Sequence, residues 1–480
     1  MEEENHILKV LESPNSMDTK ETKEEKDEKK PLKRILTLDF LRGVAIFLMI
    51  PGHQLRSTYN IEWIIQSVGF GEKSGLVMFF ASAYAILATF TSAFLIISII
   101  VNIYTAEKRL ERGEHPNNIL RKQLITGFII VVYGYLFEMI LHPVGLLGKT
   151  VLLSGDNPVL YMLKRSFDFG TLHVIGWSII LVGLLHYFLV LRPKSKGKEN
   201  YMRAFFIYAA LVIVIIVISP FLSQAIFNNF EEFPGTHLSD RQFDWPPTGA
   251  GDFFLRQFLA FLVGQYMPMI PFFAVSLIGA IIGMGLAQKK PNKRIPLFIF
   301  LTGLVLLPID IVMIILGALK GDYTFMYMGQ AAQIFFVSLF GQLSILSLCL
   351  WLIEFKGKTG RFVKISRFWR RYGAISLTIF SFEIIAVIPR YFVQAITGWH
   401  VASQAVEGPF DAKLWQAAIT IAFVMIFWEG LIRLWEQVNF VGTFEWVNAK
   451  LLSIGQKIPA TSKREIKDII YNIQPITFVQ

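Results

Sequence analysis

Long apolar runs separated by short polar stretches dominate this chain. Runs such as ALVIVIIVISPFL, Ala210 to Leu222, carry no charge at all. Mostly apolar blocks of about 18 residues or more read as membrane-spanning helices. Ten such blocks stand out, over about 36–55, 75–103, 123–142, 170–191, 203–227, 266–287, 295–317, 331–354, 372–394 and 414–436. The segment 253–264 reads as a half-span or interfacial helix leading into the sixth. Alternation at period two is scarce, which excludes an outer-membrane barrel. The expected fold is all-α: a polytopic helical membrane protein of about ten transmembrane helices.

The polar stretches alternate in basic content. The residues before the first block carry eight Lys or Arg, from Lys9 to Arg34. The second, fourth, sixth and eighth loops carry Lys108/Arg109/Arg112/Arg121/Lys122, Arg192/Lys194/Lys196/Lys198, Lys289/Lys290/Lys293/Arg294 and seven residues from Lys356 to Arg371. The odd loops carry far fewer. Basic loops stay in the cytoplasm, so both termini are expected there, in a multi-pass protein of the cell membrane. A missed helix would invert every later loop. The expected divisions are a disordered charged tail over 1–34, a helical bundle over 35–437, and a cytoplasmic interfacial helix and tail over 438–480. No cleavable signal peptide is expected. The longest outer loops are 143–169 and 228–252, the second polar and proline-rich enough to cover a site.

Composition narrows the function classes. Of 480 residues, 54% are hydrophobic and only 17% charged, against about 25% charged in globular proteins. A soluble enzyme is excluded. The net charge of +10 would suit a nucleic-acid binder, but the basic residues sit in short clusters between apolar runs, so no nucleic-acid partner is expected. A single cysteine, Cys349, allows neither an intrachain disulfide nor a cysteine-based metal site. No P-loop, dinucleotide-binding glycine motif, HExxH metal site or serine-nucleophile elbow is present, and no metal is expected.

Ionisable groups inside spans are costly and point to function. The first block, RILTLDFLRGVAIFLMIPGHQLR, holds Asp39, Arg42 and His53. Arg42 and His53, eleven residues apart, fall on nearly the same helical face about 16 Å apart along the axis. Asp39 is placed to pair with Arg42 at i,i+3, either as a structural pair or as part of a site. Pro51 removes a backbone donor just before His53. By the expected topology Glu138, His142, Asp168 and His173 lie near the outer ends of their helices, on the side of His53. A histidine oriented by a carboxylate is the equipment of a general base. Glu429 and Arg433 have the i,i+4 spacing of an intrahelical pair, and Asp310, Glu383 and Arg390 could line a cavity. The stretch RFVKISRFWRRYG, Arg361 to Gly373, serves as an orientation signal or holds phosphates of a nucleotide-like donor or a lipid head group.

The pattern R-x-x-x-L-D-x-L-R-G-x-A-I-x-x-M-x-x-x-H, Arg34 to His53, resembles the opening helix of a superfamily of membrane acyltransferases. That group includes the heparan-α-glucosaminide N-acetyltransferase family and its prokaryotic relatives. AFLIISIIVNIYTAEKRLERG, FGTLHVIGWSIILVGLL and MIPFFAVSLIGAIIG resemble later segments of the family in order, and RRYGAISLTIF and VGTFEWV resemble its C-terminal segments. Phe272 follows Pro271 where many relatives have Trp, and Thr443 replaces a Pro. The resemblance implies transfer of an acyl group, acetyl above all, from cytoplasmic acyl-CoA to a sugar, glycolipid or lipid-linked acceptor on the outer side. It implies His53 as general base or transient acyl carrier, and Arg42 lining the pore or contacting the donor. The residues themselves add Asp168 and His173 as further catalytic candidates and Asp39, Arg370 and Arg371 as further donor-binding candidates. A homodimer is compatible with it. The rival expectation is a transporter or flippase for an anionic lipid or small solute, using the same buried charges as a path.

Overall fold

A computed structural model describes residues 33–59, 75–142, 145–151, 158–198, 200–229, 249–263, 267–319, 332–401, 413–453 and 466–478. Residues 1–32 of the expected 1–34 tail, and residues 230–248 of the loop expected on the outer side, lie outside the described residues. The described chain is helical. Its one extended pairing is a bridge between Arg34 and Pro475.

The principal helices are α1 (Leu36–Tyr59), α2 (Gly75–Glu111), α3 (Pro116–Leu136), α4 (Pro158–Arg165), α5 (Thr171–His186), α6 (Tyr201–Asn229), α7 (Ala250–Val263), α8 (Met269–Ala287), α9 (Ile295–Leu319) and α10 (Ala332–Leu350). Next come α11 (Arg367–Ala374), α12 (Ser376–Ser381), α13 (Val387–Thr397), α14 (Leu414–Gln437), α15 (Phe444–Ser453) and α16 (Ile466–Tyr471). Wider π turns extend three of them, Phe137–Leu141 after α3, Tyr187–Leu191 after α5 and Trp351–Phe355 after α10.

Six helical stretches among the described residues are long and apolar enough to cross a membrane: Leu36–Leu55, Pro116–Gly148, Thr171–Ser195, Tyr201–Ser219, Met269–Ala287 and Leu414–Gln437. Ile295–Pro308 and Leu339–Phe355 are shorter apolar helices. Their outward faces are greasy rather than polar. On α6 the exposed stripe is Phe206, Ile213, Val217 and Phe221, and on α14 it includes Ile419 and Ile426. Water would penalise such a surface, whereas hydrocarbon accepts it.

The interior is built around α8, whose Phe272, Val275, Leu277, Ile278 and Ile282 pack with Leu95, Ile96, Ile99 and Ile103 of α2. Close crossings rely on glycine. Gly127 of α3 and Gly176 of α5 oppose each other so tightly that a Cβ on either would come within 2.7 Å of the other's carbonyl oxygen. This is the small-residue contact that lets membrane helices gain dispersion energy where no hydrophobic drive exists between them. Gly43 of α1 and Gly373 of α11 meet in the same way: a Cβ on Gly43 would overlap the Trp369 carbonyl, and one on Gly373 would come within 2.8 Å of the Asp39 carbonyl. Around that crossing Phe47 packs edge-on against Phe368, Trp369 and Tyr372.

One expectation is corrected. The block 372–394 does not form a continuous helix. It is interrupted at Ile375 and again at Phe382, where φ/ψ leave the helical range (−126/33 and −100/24), and a 3₁₀ turn over Glu383–Ala386 leads into α13. The segment after α14, expected as a cytoplasmic interfacial helix and tail, packs in part against the bundle. Phe440 and Thr443 are fully buried, and Phe444 stacks on Tyr133 of α3 and on Phe382. Residues 474–476 bond to Arg34 in front of α1, and Phe478 N–H donates to the Glu354 carbonyl. The described ends of the chain therefore lie side by side.

Candidate functional site

Helix α1 carries polar groups at three levels, each meeting a different part of the bundle. At its start, Thr37 donates from its N–H and hydroxyl to the Glu354 carboxylate at 2.8 and 2.6 Å. A buried carboxylate there satisfies helix N–H groups that have no intrahelical acceptor. Asp39 receives both arms of Arg34, from Nε at 2.7 Å and from Nη2 at 2.6 Å. The expected Asp39–Arg42 pair does not form. Arg34 precedes the helix and reaches both carboxylate oxygens with its planar fork, and its backbone is fixed by residues 474–476. Arg42 is left within electrostatic range of Asp39 and Glu445 and has no hydrogen-bond or ion-pair partner among the described residues.

The arginines expected toward the donor differ in their engagement. Arg370 donates to the Val363 carbonyl at 2.7 Å and the Ser366 hydroxyl at 3.2 Å, and burial lowers its pKa to about 10 despite the Asp39 carboxylate nearby. Arg371 is held by Glu429, Glu436 and the Tyr471 hydroxyl. Arg371 thus ties α11 to α14 and α16, a structural clamp rather than an open cation. Glu429 also takes Arg433 Nε at 2.7 Å, the expected intrahelical pair.

At the middle level the first interruption is secured by α15. Glu445 accepts from Leu377 N–H at 2.6 Å and the Thr378 hydroxyl at 2.6 Å. Non-helical backbone at membrane depth is tolerated only where such partners exist.

The third level, toward the C-terminal end of α1, holds the candidate reacting group. His53 Nδ1 lies 2.6 Å from Glu383 Oε2, and the histidine side chain remains 40% exposed while Glu383 is 12% exposed. Glu383 opens the 3₁₀ turn after the second interruption, so the break in the helix delivers it to α1. With Nδ1–H donating to the carboxylate, Nε2 is the basic nitrogen and the imidazolium form gains a counter-charge. Glu383 is also within electrostatic range of Glu138 and Arg390. Arg165 of α4 pairs with both Glu138 and Asp168. Glu383 thus links His53 to Arg390, and a neighbouring set of Glu138, Arg165 and Asp168 adjoins it through Glu138.

Asp168 belongs to this cluster through Arg165. His173 does not share a hydrogen bond with His53: its Nδ1 accepts the Gly170 N–H at 3.3 Å, and its ring lies against Tyr135 and Phe169 over Gly134. It is an N-terminal fixture of α5, sealed by aromatics. His142 closes the π turn after α3 and packs on Phe137.

Sequence reading singled out His53 but matched it with carboxylates of the third and fourth blocks. Its partner comes from 330 residues away. The only signal for Glu383 was its rarity, a carboxylate within an apolar block. Glu445 falls beyond the last block, and only the resemblance of the segment VGTFEWV touched on it.

No protein-family model matches the chain, and no curated protein matches it.

Proposed function

We propose that the protein is a membrane acyltransferase of ten spans with both termini in the cytoplasm of the cell membrane. It moves an acyl group, acetyl above all, from cytoplasmic acyl-CoA to a hydroxyl or amine of a saccharide or glycolipid at the outer side. The observation that carries this reading is the His53–Glu383 pair at 2.6 Å, placed on a broken helix with the imidazole still accessible.

In this reading His53 Nε2 takes the proton of the acceptor as the acceptor oxygen or nitrogen bonds to the thioester carbonyl carbon. The C–S bond breaks, and the imidazolium returns the proton to the departing thiolate. Glu383 fixes the tautomer and steadies the imidazolium. Arg42, on the same face of α1 and without a partner among the described residues, fits an amide carbonyl or phosphate of the donor. A charged donor cannot cross hydrocarbon, so only its acyl-bearing arm would extend along α1 from the Arg42 level to His53.

The test is transfer of label from radiolabelled acetyl-CoA to native lipids and glycans by purified protein, with His53→Ala alongside. Label with wild type and not with the variant is the expected outcome. Absence of both transfer and acetyl-CoA binding by wild type sinks the proposal. That result would favour the alternative, a transporter or flippase, which the interruptions at Ile375 and Phe382 also suit because broken helices build transporter binding sites.

A further inference from the structure

Four arginines among the described residues are buried: Arg165, Arg370, Arg371 and Arg390. Arg165 has two carboxylates, Arg370 a carbonyl and a hydroxyl, and Arg371 two carboxylates and a phenol. Arg390 is different. It is only 2% exposed, its Nε and Nη1 are buried without an acceptor, and no hydrogen bond to it forms among the described residues. A guanidinium withdrawn from water is retained where something anionic meets it.

Its place narrows what that is. Arg390 lies seven residues after Glu383, two helical turns and about 10 Å further along the same side of the segment. The Glu383 carboxylate lies within electrostatic range of it, yet that carboxylate is already bonded to His53. The expected topology runs this segment outward, so Arg390 stands on the acceptor side of His53 and not on the donor side.

We propose that Arg390 is the anchor for an oxyanion carried by the acceptor, making the acceptor a phosphate-bearing saccharide rather than a neutral glycan. The fork of Arg390 holds two oxygens of the anion. The intervening distance lets a sugar ring span from that anion to His53 Nε2, where its hydroxyl reacts. This rests on the acyltransferase reading for the reaction but not for the binding, which is measured without any donor. The same chemistry comes from a free sugar phosphate or from a lipid phosphate, and the two are separable by probe.

The experiment uses the full-length protein in a neutral detergent and follows thermal unfolding with glucose 1-phosphate, decyl phosphate or, as neutral control, decyl glucoside. Wild type and His53→Ala are expected to be stabilised by one of the phosphates and not by the control. The phosphate that acts identifies a free or a lipid-linked acceptor. Arg390→Gln is expected to weaken apparent affinity about tenfold or more, and Arg390→Lys, which keeps the charge without the fork, by less. If Arg390→Gln does not fold, Arg390→Lys carries the comparison, and an affinity equal to wild type overturns the proposal. So does an undiminished phosphate shift in a folded Arg390→Gln, which would mark Arg390 as structural, or no phosphate shift in wild type. Because His53→Ala binds but does not transfer, failure of the acyltransferase reading is read separately, by the label assay.

Discussion

His53 and Glu383 form a unit in which neither side chain suffices alone. An imidazole without its carboxylate loses both its fixed tautomer and the counter-charge for its protonated form. Glu383→Gln keeps the shape and can still meet Nδ1, but it offers no charge. Acetyl transfer by Glu383→Gln should fall about 10²- to 10⁴-fold with the fold retained, His53→Ala should fall at least as far, and the double variant should be no worse than His53→Ala alone. Additive losses in the label assay would show that the two residues act separately. The residue-level reading of the sequence succeeded where partners are local, as with Glu429 and Arg433 on one face of α14. It failed for Asp39, where the i,i+3 spacing to Arg42 states only that a pair can form. The winning partner, Arg34, is held in place by a segment some 440 residues away. Helical periodicity contains no term for such contacts.

Among the elements, the contact of α1 with α11 sets the position of everything polar on α1. Gly43 lies one residue after Arg42, and its Cα faces the Trp369 carbonyl with no room for a methyl. Gly43→Ala must therefore push α11 off α1 or rotate α1, either of which moves Arg42 and Asp39. We expect destabilisation by about 1–3 kcal/mol, the usual penalty of overpacking, seen as a lower unfolding midpoint in detergent. Gly430→Ala, on α14 with nothing near its added Cβ, should leave the midpoint unchanged. An unaltered midpoint for Gly43→Ala would mean that the crossing is looser than its geometry indicates. The apolar blocks were legible because each helix must hide its backbone and present grease to lipid. The double break near Ile375 and Phe382 was not, since neither residue is a helix breaker. At the first break Glu445, from another element, satisfies the freed N–H groups of Leu377 and Thr378.

At the scale of the whole molecule, sequence and structure constrain the topology from different directions. The bridge between Arg34 and Pro475 puts the two described ends together, which an even number of crossings requires and an odd number forbids. The basic residues then choose the side, because Lys and Arg are retained in the cytoplasm during insertion. On the proposed topology the mouth at Arg34, Asp39 and Arg370 would lie inside, and His53, Glu383 and Arg390 outside, with Arg42 between. The arrangement is testable because Cys349 is the single cysteine. In a Cys349→Ser background, single cysteines at the exposed positions Lys198, Lys290 and Lys358 should react with a membrane-impermeant maleimide only after the cells are permeabilised. Cysteines at the exposed positions Ala250 and Lys413 should react in intact cells. Complete inversion of that pattern would put His53 in the cytoplasm, where donor and acceptor need no passage through the bundle and the three levels of α1 lose their purpose. Inversion only beyond one loop would instead locate a miscounted crossing, and with ends that meet, a second miscount would have to compensate for it.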